Sequence, residues 1–198
     1  MGNHGEFFFK HIFHLSKKMQ LPNPNIKSNT FINITSRRIY SLYEVQLSIY
    51  RIDVIFKNIL VVCIGNICRS VTAERILRSK LPGLEIHSAG VDAMVGYGID
   101  KTASEILDIK GYECSNHKAQ NLTAELVVNS DLILVMEKDQ RKFIISRYPQ
   151  ASGKVFLLGC WDGDLEITDP YRKSTEVFEY VYSKIEKSCL LWCEKIKQ

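Results

Sequence analysis

Nothing in this 198-residue chain approaches the roughly 18 consecutive apolar residues of a membrane-spanning helix. Phe7-Phe8-Phe9 is a short apolar start, and His, Lys and Ser interrupt the residues after it, so no secretory signal core is formed. Without export, the six cysteines do not read as a disulfide framework. They also lack a second pair at zinc-ligand spacing, which argues against a metal centre. Gly2 is followed by Glu6 where a myristoylation site needs Ser or Thr. Clustered basic charge is missing from most of the chain too. Residues 1–53 hold seven Lys/Arg against three acids, and the other 145 residues hold 19 of each, so the net charge of +4 sits in the leader. A nucleic-acid footprint needs basic residues gathered on a folded face, so that class of partner is excluded. These absences leave a cytoplasmic protein with reduced thiols and no membrane insertion.

The composition itself is 45% hydrophobic and 24% charged, enough for one globular domain plus an appendage. Residues 1–54 are Asn-rich, contain Pro22 and Pro24, and show no sustained apolar period. They read as a basic, loosely structured extension that the mature protein need not contain, with a short strand or helix at Ser41–Tyr50. Residues 55–198 read as the domain proper. There the pattern alternates: strand 58–62, helix 70–80 stopping at Pro82-Gly83, strand 84–87, a Gly-rich loop 88–100, and helix 102–110 closed by Gly111. Next come a short helix 123–129, strand 131–136, helix 138–147, strand 154–158, a long loop 159–173 and a final amphipathic helix 174–196. This order predicts a three-layer α/β fold: a central four-stranded parallel sheet with helices on both faces and a phosphate-binding loop after the first strand.

In such sheets ligands bind beyond the carboxyl ends of the strands, which is where Cys63 lies. Cys63-Ile64-Gly65-Asn66-Ile67-Cys68-Arg69-Ser70 places five residues between a cysteine and an arginine, just ahead of a helix. That length bends the backbone around one tetrahedral anion, with amide N–H groups inward and the guanidinium closing the ring. Gly65 and Asn66 tolerate unusual backbone angles, and Ser70 occupies a helix N-cap position. A second element is Asp169-Pro170-Tyr171 in the long loop, where Pro170 holds Asp169 away from helical angles.

Together these residues resemble the low-molecular-weight protein tyrosine phosphatases, over roughly residues 56–198. The eight-residue loop is a full copy of that family's, second cysteine included. Asp169-Pro170-Tyr171-Arg172-Lys173-Ser174 is similar to the acid loop of the bacterial members that work in capsule and exopolysaccharide assembly. Asn58-Ile59-Leu60-Val61-Val62, Ser88-Ala89-Gly90, Asp131 to Lys138, and Trp161-Asp162 look like the same branch. Val71 and Lys101 stand where the family commonly has Pro, and Ala119-Gln120-Asn121 where it has Ala-Arg-Gln. None of these departures touches a group at which bonds change.

A free thiol titrates near 8.5, so the nucleophile needs a positive environment. Loop amides, a helix N-terminus and Arg69 all favour the anion, which predicts an acid-shifted Cys63 that attacks phosphorus and forms a phosphocysteine. Arg69 is expected to grip two phosphoryl oxygens through its planar fork, and Asp169 to protonate the leaving phenolate. Ile64, Gly65, Asn66, Ile67, Cys68 and Ser70 are the expected cradle, with Ser70 bonded to the Cys63 sulfur, and Tyr171 flanks the substrate ring. The resemblance implies that Ser88 and His117, with Asn66, tie the loop from behind. It also implies a reversible Cys63–Cys68 disulfide against over-oxidation. It points to a phosphotyrosine protein as substrate, a membrane-bound tyrosine autokinase controlling polysaccharide production, with no cofactor. An arsenate reductase on the same scaffold would need two more closely spaced cysteines where only Cys114 stands. A phosphotyrosine-binding module without turnover would be marked by loss of Cys63, Arg69 or Asp169, and all three are present.

Overall fold

The structure is a computed structural model and describes residues 56–197. The expectations for the leader, including Ser41–Tyr50, lie outside the described residues. Four parallel strands form one sheet: β1 Asn58–Cys63, β2 Glu85–Gly90, β3 Leu132–Val135 and β4 Val155–Leu157. Their order across the sheet is β2-β1-β3-β4. The central strands β1 and β3 are covered on both faces, which is why Ile59-Leu60-Val61-Val62 and Leu132-Ile133-Leu134-Val135 are unbroken apolar runs.

Alternation along the strands divides the core into two halves. Leu60, Val62, Ile133 and Val135 pack with Val127, Ile144 and Ala151, residues of α3 (Ala124–Asn129), α4 (Lys138–Arg147) and a 3-10 turn at Pro149–Ala151. On the opposite face β1 and β2 meet α1 (Arg69–Lys80), and α1 packs on the long α5 (Thr175–Ile196), which also touches α2 (Lys101–Ile109). Trp192 of α5 is fully enclosed there, donating Nε1–H to Leu158 O at 2.9 Å. Truncating so large a buried side chain to Ala costs about 3–5 kcal/mol.

Element ends shift by a residue or so from the sequence pattern, and two differences matter. β2 runs on to Gly90 instead of stopping at His87, because Gly90 pairs with Cys63 at the edge of the candidate site. Only glycine fits there: a Cβ would lie 2.2 Å from Ile64 O. The helix α1 begins at Arg69, with Cys68 at its N-cap and no side chain capping it. Ser70 is therefore not the cap that its position suggested, and its hydroxyl serves elsewhere. As the pattern anticipated, Gly111 has a positive φ of 78° after α2; the structure adds Asp100 as the cap of that helix, accepting from Thr102 N at 3.0 Å and Ala103 N at 3.3 Å.

Candidate active site

β1 delivers Cys63 to the carboxyl edge of the sheet, and the chain then curls for five residues before α1 starts. The curl is built by turning its carbonyls outward. Cys63 O accepts from Val91 N, Ile64 O from Asp92 N, Gly65 O from Met94 N and Ile67 O from Asp100 N, at 2.9–3.2 Å. Asn66 O accepts from His117 at 2.7 Å, and since a carbonyl only accepts, that histidine carries its proton on Nε2. With the carbonyls held outside, the amides face inward. Those of Ile64, Gly65, Ile67, Cys68 and Arg69 find no protein acceptor among the described residues. A ring of unpaired N–H groups at a helix N-terminus is an anion cradle.

Asn66 is the residue with the unusual backbone, at φ 56°, a region in which asparagine is among the few tolerated side chains. Gly65 does not share it, and a Cβ there would make only ordinary contact. The fully buried Asn66 side chain ties the loop to its surroundings. Its Oδ1 accepts from Gln120 N at 2.9 Å, and its Nδ2 donates to Ser88 Oγ at 2.9 Å and Ser70 Oγ at 3.0 Å. Ser88 in turn donates its hydroxyl to the buried carboxylate of Glu74, which also pairs with Arg78.

This network fixes the direction of the hydrogen bonds at the sulfur. Ser70 Oγ already accepts from Asn66, so its own O–H is free to donate to Cys63 Sγ, 3.0 Å away. The Asn66 N–H approaches the same sulfur at 3.3 Å. Two donors thus converge on a nearly inaccessible sulfur.

Arg69, 1% exposed, points toward the ends of β3 and of the long loop. Its Nη1 donates to the Glu137 carboxylate and to Ile167 O, the latter at 2.9 Å, and its Nη2 donates to Asp169. Asp169 Oδ1 accepts from Tyr171 N at 3.1 Å, and the Tyr171 ring lies under the Arg172 guanidinium, 5.1 Å from its centroid. The structure thus gathers Cys63, Ser70, Asn66, Ser88 and His117, with Glu74 and Gln120, into one hydrogen-bonded group and Arg69, Asp169 and Glu137 into a second, the two meeting along the chain at Arg69-Ser70.

Cys68 is buried, and burial first, then the nearby Asp100, Cys63 and Asp169, push its thiol well above the usual range. Cys189 is pushed up by burial in the core, and burial takes Cys160 to about 12. Cys114 sits apart, its sulfur directed at Ser104 O and Tyr112 O. All six cysteines are free.

Three residues of this set escape a reading by motif: Glu137, Glu74 and Gln120. Glu137 immediately follows the β3 run, at the same sheet edge that singles out Cys63, so the crevice rule would have found it. Glu74 falls four residues after Ser70, on the same helix face. Gln120 carries no local signal, because its part is played by a backbone N–H and an amide bonded to Ser88 O at 3.0 Å.

Comparison with known proteins bears on this geometry. The family described as low molecular weight phosphotyrosine protein phosphatase matches residues 58–198. The low molecular weight protein-tyrosine-phosphatase Wzb of Escherichia coli is 45% identical over 141 residues, which is 71% of this chain and 96% of the relative. The crystal structure of the Erwinia amylovora tyrosine phosphatase AmsI superposes with a TM-score of 0.70 at 45% identity, covering 72% of this chain and 95% of that one. Vibrio vulnificus Wzb in complex with benzylphosphonate gives a TM-score of 0.69 at 41% identity, over 71% and 99% of the two chains. The chain belongs to the low molecular weight phosphotyrosine protein phosphatases.

Proposed function

We propose that this phosphatase hydrolyses phosphotyrosine through a phosphocysteine on Cys63. The observation that carries the reading is the directed pair of donors, Ser70 O–H and Asn66 N–H, on a sulfur beneath a ring of unpaired amides. The phosphoryl oxygens occupy that ring. The Arg69 fork takes two of them, with Glu137 and Ile167 O holding its other edge. As the S–P bond forms and the P–O bond to the phenol breaks, Asp169 gives its proton to the departing oxygen. Water then attacks phosphorus, Asp169 takes its proton, and the sulfur leaves with the Ser70 hydroxyl bonded to it. Tyr171 flanks the substrate ring. Benzylphosphonate, bound in the Vibrio relative, has the aryl and phosphoryl parts that such a site needs.

The substrate on this reading is a tyrosine autokinase at the membrane that controls exopolysaccharide or capsule production, met by the phosphatase in the cytoplasm. No helix among the described residues is long and apolar enough to cross a membrane. Resemblance of the acid loop to the capsule-associated branch supports the assignment. Purified protein is expected to cleave para-nitrophenyl phosphate, and Cys63→Ser to abolish it; cleavage surviving in the variant refutes the mechanism. Asp169→Ala used as a trap in cell extract should retain a phosphotyrosine kinase, and capture of unrelated phosphoproteins alone would refute the pathway.

Cys68 supplies a guard for the nucleophile. Peroxide oxidises Cys63 to the sulfenic acid, and the Cys68 sulfur displaces water from it to give a Cys63–Cys68 disulfide. Reversal of peroxide inactivation by dithiothreitol in the wild type, and its loss in Cys68→Ser, is the expected outcome.

A further inference from the structure

Beside the catalytic crevice, α4 and the loop after β4 enclose an open cleft of about 540 Å³, a size within the range of small-molecule sites. Its rim carries Lys138, Arg141 and Lys142, with Asp164 in the lining and Glu166 beside it, the latter accepting from Lys138 N at 2.5 Å. Lys138 and Arg141 make no ion pair among the described residues. The pair of Lys142 with Asp139, 2.9 Å, joins two largely exposed groups and so competes weakly with any incoming anion. Ile145 and Leu157 add apolar lining between these charges. A cationic rim over an apolar floor fits an aromatic phosphate better than a bare carboxylate, because the ring gains contact while the Arg141 fork takes the oxygens.

The cleft adjoins the catalytic crevice through one residue. Lys138 is the residue after Glu137, whose carboxylate holds Arg69, and Arg141 comes about 4.5 Å further along the helix axis. An extended peptide advances about 3.3–3.6 Å per residue, so the spacing of two phosphotyrosines in one segment sets whether both places are engaged.

We propose that this cleft is a second phosphotyrosine subsite, which engages a neighbouring phosphotyrosine of the same substrate segment while Cys63 works on the first. The proposal rests on phosphotyrosine being the substrate, and it names the substrate class as multiply tyrosine-phosphorylated segments. It requires nothing of the leader's positive charge.

The test is steady-state kinetics of the full chain on synthetic peptides that carry one phosphotyrosine, or two separated by two to six residues. At one or more spacings the doubly phosphorylated peptide should show kcat/KM at least tenfold above the single one, mainly through KM. The Arg141→Glu/Lys142→Glu double variant, altered only at exposed positions, should bring the two peptides within twofold. It should leave para-nitrophenyl phosphate turnover unchanged. Replacing the second phosphotyrosine by Glu should lose most of the gain. Equal kcat/KM at every spacing, a gain that survives in the double variant, or a full gain with Glu each overturn the subsite. Failure of the wild type to cleave para-nitrophenyl phosphate would instead overturn the underlying phosphatase mechanism.

Discussion

Arg69 and Asp169, 100 residues apart in the chain, are joined by a hydrogen bond from the guanidinium Nη2 to the carboxylate Oδ2. The other carboxylate oxygen is held by Tyr171 N. The acid loop is thus docked onto the same N–H group that a phosphoryl oxygen would claim. On the proposed mechanism substrate and Asp169 compete for it, and substrate entry would free the carboxyl group for the leaving oxygen.

That competition predicts an unequal response in Asp169→Ala. Loss of the proton donor should lower kcat on aryl phosphates by about 10²–10⁴-fold. Inorganic phosphate, freed from competition for Nη2, should inhibit the variant severalfold more strongly than the wild type. Inhibition constants measured side by side check this, and weaker inhibition in the variant would show that Asp169 helps to hold the anion.

Ser70 gives a second prediction, confined to one step. Removing its hydroxyl deletes a hydrogen bond to a sulfur that bears charge when it leaves phosphorus. Bonds of that kind are worth about 1.5–3 kcal/mol, or roughly 10–100-fold in rate. Ser70→Ala should therefore slow hydrolysis of the phosphocysteine more than its formation. Rapid-mixing experiments with para-nitrophenyl phosphate should show a burst of nitrophenol and then slow turnover.

Gly90 gives a prediction about stability. A methyl group there meets Ile64 O at 2.2 Å and Ala93 at 3.0 Å, both on backbone that shapes the anion cradle. Gly90→Ala should cost about 1–3 kcal/mol by overpacking and distort the loop. Thermal unfolding and phosphate affinity should fall together. Gly83→Ala, where a Cβ meets nothing within 4 Å, serves as the control.

Alkaline pH should destabilise the fold through its buried acids. Burial holds Cys160 at about 12, keeps Cys68 and Cys189 higher than an ordinary thiol, and raises Tyr182 with help from Glu186. Below the ordinary thiol value of 9.0, both folded and unfolded chains keep these thiols neutral, and their contribution is constant. Above it the unfolded chain loses protons that the folded chain retains, so stability falls as pH rises from about 9 toward 12. Urea midpoints at pH 7.5, 9.5 and 10.5 should decline in that order, and less steeply in Cys160→Ala.

The alternating elements and the cysteine loop were legible in the sequence because both depend on local pattern. Apolar runs at the strands, Pro82-Gly83 and Gly111 at helix ends, and a cysteine at a strand exit each announce themselves within a few residues. The features that stayed hidden are set by distant partners. Ser70 looks like a cap because serine favours that position, yet the curl delivers Cys68 there and turns the hydroxyl to the sulfur. Gly65 and Asn66 both read as tolerant of unusual angles, and only distant partners decide between them: Asn66 takes the left-handed angle, fixed by four hydrogen bonds of its side chain and carbonyl. Glu137 stands in the Asp131 to Lys138 stretch at the carboxyl end of β3, and its hold on Arg69 emerges only with β3 beside β1.

The cradle's outward carbonyls are met mostly by main-chain amides of residues 91–100, and main-chain donors do not depend on which side chains stand there. The exposed Val95 and Tyr97 on that stretch can thus be exchanged through mutation at little expense to the chemistry beneath. The side chains of that stretch are thus free to diverge above a reactive centre whose shape the main chain keeps.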